Sequence, residues 1–310
     1  MSENTEVAAT KISLSVRMKK VGLDFLTWLR RSKYLKPVAE FLAKTYHKIF
    51  LRKFIKKWLV KTPNGSYFDF NGAKLPDISN NWKNIKTLSM VFEDTFFIPC
   101  CYDDNHDKTI VEEVDKFVRE GPYGYTDGKF DVTVKSGDVV IDIGAWIGDF
   151  SAYAASKGAT AYAFEPVQEN YQLLSETAEL NNKKIYPIQK GLSSSEGEVL
   201  MYVDGGSSSI LAERSSNNAE RETIIITTLD KIVKEFDIKR IDFIKADIEG
   251  AERDMLRGAV WTLKHFAPKL AICTYHLPDD PQVLEQIIKE ANPDYTVKHT
   301  RHKLFAMVVK

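Results

Sequence analysis

The segment from Val139 to Pro166 constrains the fold more than any other part of the chain. It reads VVIDIGAWIGDFSAYAASKGATAYAFEP: an apolar run ending at Asp142, a turn with Gly144 and Gly148, a helix-like stretch, and a second apolar run ending at Glu165. This order predicts a β-strand, a glycine turn, an α-helix and a parallel strand that ends in an acid. Such a unit belongs to an open α/β sheet, where ligands bind beyond the carboxyl ends of the strands.

The residues of this unit indicate a nucleoside ligand. Glycines let the backbone approach a ligand, and Glu165 can accept hydrogen bonds from two ribose hydroxyls. A dinucleotide site expects G-x-G-x-x-G, whereas Trp146 stands here where the middle glycine would be. Asp142 is a poor neighbour for a pyrophosphate and a good one for a cationic amino acid. The ligand that fits is S-adenosylmethionine. The alternative is an ordinary βαβ unit whose glycines only ease packing.

The expected cofactor contacts follow from these positions. The turn and the end of the second strand supply Asp142, Gly144, Ala145, Trp146, Gly148, Glu165 and Pro166. Asp142 either orients the turn or meets the methionine ammonium. Adenine contacts are expected at the end of the third strand, in Lys190–Ser193. That segment contains no Asp to accept from the adenine amino group, so Ser193 or the backbone is the predicted partner.

Candidate catalytic residues follow the fourth and fifth predicted strands. Asp247 and Glu249 are expected to bind substrate hydroxyls, to act as base, or to hold a divalent cation. Glu252 falls in the first turn of a predicted helix, where a capping role explains it as well as catalysis does. His276 is suited to accept a hydroxyl proton near neutral pH, although a lone histidine also serves as polar filler.

Three motifs together resemble the FkbM family of S-adenosylmethionine-dependent methyltransferases. They are Asp142–Gly148, Phe164–Pro166 and Asp247–Glu252, and the resemblance covers about residues 126–310. One position departs from the family pattern, since Trp146 stands where the family usually carries Asn. Family members also carry a glycine–serine segment like Gly205–Ser209, which is expected to be either a lid over the substrate or a plain loop.

The fold class expected is α/β, a Rossmann-like class I methyltransferase fold with an N-terminal helical extension. Alternating strands and helices from Val132 predict a mostly parallel sheet covered on both faces. Strands are expected near 138–143, 160–165, 184–189, 241–247 and 269–275, with a final hairpin near 295–299 and 303–309. The hairpin is typical of class I methyltransferases and implies seven strands in the order 3-2-1-4-5-7-6.

The charge distribution separates the N-terminal part from the rest. Lys plus Arg and Asp plus Glu balance at 43 each, yet residues 1–62 hold 15 basic and 4 acidic residues, a net of +11. Three parts are expected: a basic amphipathic helical extension at 1–62, helical as far as Val60, a small α+β segment at 63–125 that shapes the substrate site or dimerises, and the methyltransferase domain at 126–310. The extension either caps the core or lies on an anionic membrane surface. No nucleic-acid-binding motif accompanies its charges.

The remaining composition bears on location. Cys100, Cys101 and Cys273 give neither a disulfide framework nor the paired spacing of a zinc site. The first ten residues do not resemble a signal peptide, and no run approaches the ~20 apolar residues of a membrane span. We therefore expect a cytoplasmic protein, on the inner membrane face if the extension binds lipid. Oligomeric state is left open.

The predicted reaction is O-methylation of a hydroxyl on a sugar, glycolipid or related small molecule, and the acceptor class rests on the resemblance alone. Two alternatives stay open. The first is N- or C-methylation of a small molecule, although no amide-methylating Asn-Pro-Pro-Tyr signature is present. The second is a scaffold that binds the cofactor without chemistry. A nicotinamide dehydrogenase is disfavoured by the missing G-x-G-x-x-G.

Overall fold

The computed structural model describes residues 58–78, 120–203, 208 and 220–309. The strands are β1 Leu59–Thr62, β2 Gly65–Phe70, β3 Ala73–Pro76, β4 Tyr125–Asp127, β5 Phe130–Val132, β6 Val139–Ile143, β7 Thr160–Phe164, β8 Ile185–Ile188, β9 Gly191–Leu192, β10 Gly197–Val203, β11 Glu220–Thr227, β12 Phe243–Ala246, β13 Lys269–Cys273, β14 Tyr295–His299 and β15 Lys303–Val308. The helices are α1 Asp149–Ser156, α2 Gln168–Leu180, α3 Leu229–Glu235, α4 Glu252–Arg257, α5 Val260–His265 and α6 Asp280–Ala291.

A seven-stranded sheet forms the centre of the molecule. Its strands lie in the order β14-β15-β13-β12-β6-β7-β8. The five strands from β13 to β8 are parallel, and β15 runs antiparallel to both β13 and β14. Counted along the chain from β6, this is the predicted order 3-2-1-4-5-7-6. The parallel strands are buried apolar runs because helices cover both faces of the sheet.

The sheet aligns the strand ends that carry the candidate residues. β6 lies between β12 and β7, and Asp142 is the register partner of Ala163 on one side and of Lys245 on the other. The segments that follow β6, β7 and β12 therefore leave the sheet at one edge. This edge is where open α/β sheets bind ligands.

Smaller sheets lie around the central sheet. The strands β9, β10 and β11 form a three-stranded sheet after β8. The antiparallel sheet β1-β2-β3 packs on α1 and α2, where the side chain of Asn181 accepts from the backbone N–H of Lys74 and donates to its carbonyl oxygen. Phe68 and Leu75 of this sheet are buried in the same apolar cluster as Phe150 of α1.

The N-terminal expectations meet the structure only in part. Most of the predicted extension and much of residues 63–125 lie outside the described residues, so the alternatives for the extension stay predictions. The helical pattern extended to Val60 is wrong at its end, because Leu59 and Val60 belong to β1 and pair with β2. β1 lies before the predicted domain boundary at residue 62 and its partner β2 lies after it. β4 includes residues on both sides of the predicted boundary at residue 125. No helix of the described residues is long and apolar enough to cross a membrane.

Candidate functional site

The glycine turn after β6 has a strained backbone that its neighbours hold in place. Gly144, Trp146 and Gly148 have φ angles of +73°, +50° and +84°. A positive φ costs tryptophan roughly 1 kcal/mol, so the surroundings must fix the turn. The backbone N–H groups of Gly144 and Ala145 donate to the carbonyl oxygen of Phe164, and the N–H of Trp146 donates to Glu165 Oε2 at 3.0 Å. The turn is thereby tied to the end of β7.

The two glycines are needed for close packing against neighbouring backbone and side chains. A Cβ on Gly144 would lie 2.1 Å from the carbonyl oxygen of Asp247, and one on Gly148 would lie 2.7 Å from Leu174 of α2. Ala145 is buried in the core, 1% exposed. The two glycines therefore permit close packing, and Gly144 brings the turn against the segment after β12.

Asp142 points into the interior below the turn. It is fully buried, its Oδ1 lies 3.1 Å from the ammonium of Lys245, and its Oδ2 accepts from Ser151 at 2.6 Å. Lys245 also donates to the carbonyl oxygen of Gly144 at 2.6 Å. Burial opposes the charge of Lys245, but Asp142 and Asp247 outweigh it and raise the pKa of the ammonium. Asp142 therefore orients the turn through Lys245.

A cavity of about 310 Å³, the turn cavity, opens beyond this turn. Of the predicted cofactor residues, Gly144, Trp146, Glu165, Pro166 and Ser193 line it, whereas Asp142, Ala145 and Gly148 do not. Apolar side chains of β9, β10 and β11 form another part of its wall. They are Leu192, Val199, Met201, Ile224 and Ile226. Ser208 lines it too, while the other residues of Gly205–Ser209 lie outside the described residues.

The polar wall of the turn cavity is acidic. Its carboxylates belong to Glu165, Asp247, Glu249 and Asp254, and among the described lining residues Lys190 is the single lysine or arginine. Lys190 itself lies 3.8 Å from Glu235. Such a wall repels phosphates and attracts a cation.

Glu165 retains a lone pair for a ligand. Oε1 accepts from the N–H of Val167 at 3.0 Å and from Asn170 at 3.4 Å, and Oε2 accepts from Trp146. A carboxylate offers about four acceptor positions, so the described partners leave one, on Oε2. Burial raises the pKa of Glu165 to about 7, against the lowering effect of these donors.

A second cavity, the tyrosine cavity, also has Asp247 in its wall. It measures about 370 Å³ and is lined by Tyr123, Asp247, Cys273, Tyr275, His302 and Lys303. Asp247 is the residue common to the linings of both cavities. Tyr123 donates to its Oδ2 at 2.7 Å and Tyr275 to its Oδ1 at 3.1 Å. Burial would raise the pKa of Asp247, but Lys245, Tyr123 and His276 outweigh burial and lower it.

His276 contacts three carboxylates and lines neither cavity. Its Nδ1 lies 2.8 Å from Glu252, and its Nε2 lies 3.4 Å from Asp247 and 3.6 Å from Glu249. Burial would lower the pKa of the imidazole, yet hydrogen bonding to Glu252 and the three negative charges raise it. The predicted base is therefore 5% exposed and surrounded by acceptors that favour the imidazolium.

The segment after β12 is fixed by Glu252. Its buried carboxylate accepts from the N–H groups of Ile248 and Gly250 and meets His276. This arrangement favours the structural reading of Glu252. Asp247, Glu249 and His276 offer ligand atoms within 4.8 Å of one another, close enough to share one cation.

Sequence reasoning missed Lys245, Tyr123, Tyr275 and Lys303. Lys245 was detectable, because a lysine inside the apolar run Phe243–Ala246 is costly to bury without a charge partner. Tyr123 and Lys303 carried no such signal. They lie in a loop and at the start of the last strand, far from Asp247 along the chain.

Comparisons with known proteins find similarity to methyltransferases. Residues 142–295 match the methyltransferase FkbM domain. The hexuronic acid methyltransferase AglP of Haloferax volcanii is 27% identical over 156 residues, which cover 50% of this chain and 62% of AglP. Methyltransferase sdnD of Sordaria araneosa is 30% identical over 169 residues, 43% of this chain and 65% of sdnD. The crystal structure of methyltransferase FkbM from Methylobacillus flagellatus KT matches at 21% identity and a TM-score of 0.46, covering 77% of this chain and 62% of that one. The chain thus spans under two thirds of each of these relatives.

Proposed function

This chain belongs to the FkbM methyltransferase family, and we propose on that premise that it is an S-adenosylmethionine-dependent methyltransferase acting on a hydroxyl. The acceptor is a sugar, a glycolipid or a related small molecule. The observation that carries the proposal is the position of Asp247 in the walls of both cavities. One cavity has the features of a methyl-donor site, and the other opens onto the same carboxylate from a different side.

The turn cavity fits S-adenosylmethionine better than a dinucleotide. The remaining lone pair of Glu165 accepts from one ribose hydroxyl, and the apolar wall of β9–β11 suits the adenine. Ser193 and the adjoining backbone lie at the predicted adenine end. The acidic wall at Asp247 and Glu249 suits an ammonium and a sulfonium, whereas a pyrophosphate would be repelled. When bound, the cofactor supplies an electrophilic methyl group to the acceptor oxygen.

Asp247 holds the acceptor hydroxyl. Tyr123 and Tyr275 show that its oxygens accept from hydroxyl groups on the side of the tyrosine cavity. An acceptor hydroxyl that replaces Tyr275, which is 49% exposed, donates to Oδ1 and passes its proton there as the oxygen gains the methyl group. The lowered pKa of Asp247 makes it a weak base, so alignment of the reacting atoms supplies most of the rate.

His276 acts through the carboxylates. Its contacts with Asp247 and Glu249 hold both side chains, and Glu252 fixes the ring from behind. We therefore assign proton acceptance to Asp247 and a positioning role to His276. A divalent cation bound by Asp247, Glu249 and His276 is a separate possibility, which chelation by EDTA tests: loss of activity that Mg²⁺ or Mn²⁺ restores would support it.

The sugar class rests on similarity. AglP is named a hexuronic acid methyltransferase, which favours a sugar acceptor here. The tyrosine cavity is compatible, because aromatic faces beside hydrogen-bonding groups suit a ligand with apolar and hydroxyl surfaces. N- or C-methylation of a small molecule stays a second candidate, and analysis of the methylated atom in the product separates the two.

Calorimetry and a transfer assay test this function. We expect S-adenosylmethionine and S-adenosylhomocysteine to bind with micromolar affinity and NADH to give no heat. Methyl-labelled cofactor should then label hydroxylated glycans. Binding of NADH alone would contradict the cofactor assignment, and cofactor binding without transfer to any acceptor of the panel would favour the scaffold.

A further inference from the structure

The tyrosine cavity carries a positive charge beside the negative charge of Asp247. Tyr123 links the two, because its hydroxyl donates to Asp247 and the ammonium of Lys303 lies over its ring, 4.3 Å from the centroid. Lys303 is the first residue of β15 and pairs in register with Cys273 of β13, another residue of the cavity wall. The sheet therefore fixes where this charge stands.

Lys303 differs from two other lysines of the central sheet. Lys245 contacts Asp142, and Lys269 contacts Asp138. Lys303 is half-buried. Among the residues that the structure describes, no carboxylate lies within 4.0 Å of its ammonium, so its charge is not paired in the way that those of Lys245 and Lys269 are. A cation held over an aromatic face at the wall of a cavity is placed to receive an anion from a ligand.

We propose that the acceptor carries an anionic oxygen group, a carboxylate or a phosphate, which Lys303 binds while the hydroxyl to be methylated donates to Asp247. This inference rests on the proposed function for the role of Asp247. It adds the charge of the acceptor and the residue that selects it. His302, which lines the same cavity, adds positive charge when protonated.

The orientation of the acceptor follows from the two charges. An anionic group placed against Asp247 would meet a like charge in a partly buried site, whereas a hydroxyl there donates a hydrogen bond. The anionic group therefore faces Lys303 and the hydroxyl faces Asp247. For a sugar acid this predicts a methyl ether on a ring hydroxyl and excludes a methyl ester on the carboxylate.

Matched sugar probes test the proposal by binding alone. The probes are p-nitrophenyl β-D-glucuronide, the corresponding glucoside and its 6-phosphate, titrated into the full chain with and without S-adenosylhomocysteine. We expect one or both anionic probes to bind about 10- to 100-fold more tightly than the glucoside, as a charge-assisted hydrogen bond provides. The carboxylate and phosphate arms identify which anion the site prefers.

Variants separate charge from packing. Lys303→Met retains an apolar stem and should bring all three probes to the affinity of the glucoside, whereas Lys303→Arg should retain the preference. Lys264→Met removes an exposed lysine of α5 and should change nothing. Thermal unfolding of each variant checks that it is folded.

Three results would overturn the inference. They are equal or undetectable binding of all probes by the wild type, an equal loss for all probes in Lys303→Met, and a base-labile methyl ester as the product of transfer to the glucuronide. The proposed function fails separately, if S-adenosylhomocysteine does not bind, and the probe preference can still be read without it.

Discussion

The turn cavity and the tyrosine cavity share Asp247 but are built differently. Backbone turns and strand ends along one stretch of chain, from Ile143 to Asp254, line the turn cavity. The tyrosine cavity brings together Tyr123, Asp247, Tyr275 and Lys303 from segments spread over the chain. The contrast teaches that the proposed cofactor cavity is built from one continuous stretch of the chain, whereas the proposed acceptor cavity also needs segments on both sides of that stretch.

The largest effect is expected at the residue that both cavities share. Asp247→Asn removes the charge that we propose receives the acceptor proton, so we expect kcat to fall about 10²- to 10⁴-fold, the range for general-base residues. The Kd for S-adenosylhomocysteine should change less than tenfold. Asp254→Asn is the matched control: Asp254 lines the turn cavity alone and pairs with Arg257. Equal losses in the two variants would remove Asp247 from its shared role.

A Glu165 variant tests whether cofactor binding in the turn cavity is independent of acceptor binding in the tyrosine cavity. Glu165→Ala removes an acceptor of the ribose and should raise the Kd for S-adenosylhomocysteine about 10- to 100-fold, as for a hydrogen bond to a charged group. The acceptor KM at saturating cofactor should stay unchanged. Calorimetry and initial rates measure the two quantities. An unchanged Kd would mean that Glu165 serves only the backbone of Trp146 and Val167.

His276 separates positioning from proton transfer. His276→Ala leaves Asp247 and Glu249 without the ring that contacts them. We expect kcat to fall about tenfold, less than the 10²- to 10⁴-fold typical of a residue that transfers the proton itself, with little change in cofactor Kd. His276→Gln should restore part of the loss by hydrogen bonding. A loss as large as that of Asp247→Asn would return the role of base to His276.

The pH dependence of cofactor binding isolates the turn cavity. Because the pKa of Glu165 is about 7, its ionised fraction falls below that pH, and a neutral carboxyl accepts more weakly. Affinity for S-adenosylhomocysteine should reach a plateau above pH 8 and fall as the pH decreases through 7, by less than about tenfold per unit. In Glu165→Gln this dependence should disappear; a wild-type affinity constant from pH 6 to 8 would contradict the assignment.

The stability of the unliganded protein should change in the opposite direction. The pKa of Glu165 is raised from 4.5 to about 7 on folding, so its favourable contribution is fully present below pH 4.5 and is lost as pH rises through 7. Between pH 5 and 7 the free energy of unfolding of the wild type should decline relative to Glu165→Gln by at most about 1.4 kcal/mol per unit. Denaturant titration measures the difference.

The smallest effect concerns Tyr123. Tyr123→Phe removes the hydroxyl that donates to Asp247 but keeps the ring below Lys303. Loss of one hydrogen bond predicts a decrease of about 3- to 10-fold in kcat/KM for the acceptor, with cofactor affinity unchanged. A loss of cofactor affinity instead would show that the two cavities are not separable at this residue.

The sequence was sufficient for the sheet and for the part of the turn cavity that the glycine turn and the end of β7 form. Strand β6, the turn and the acid after β7 lie within one short segment whose hydrophobic pattern and glycines follow local rules. Five of the eight predicted cofactor residues line the turn cavity. Asp142 does not line the cavity, because its carboxylate forms an ion pair with the buried Lys245. That pairing depends on the register of β6 and β12, which the sequence does not give.

The tyrosine cavity could not be predicted in the same way. Tyr123 and Lys303 are 124 and 56 positions from Asp247 in the numbering, and only the completed sheet brings them together. His276 was correctly placed after β13 by its position, but its burial and its contact with Glu252 depend on how α4 packs. Local patterns predict where strands end and not which remote loops cover those ends.

The position of Tyr123 relative to the family match has a consequence for how the two cavities can change. The family match spans 142–295, so Tyr123 and Lys303 flank it on either side while Asp247 and Tyr275 lie inside. Exchange of the flanks would replace part of the proposed acceptor wall and leave the proposed cofactor cavity intact. A chimera that joins residues 142–295 of this chain to the flanks of a relative should have the acceptor specificity of that relative.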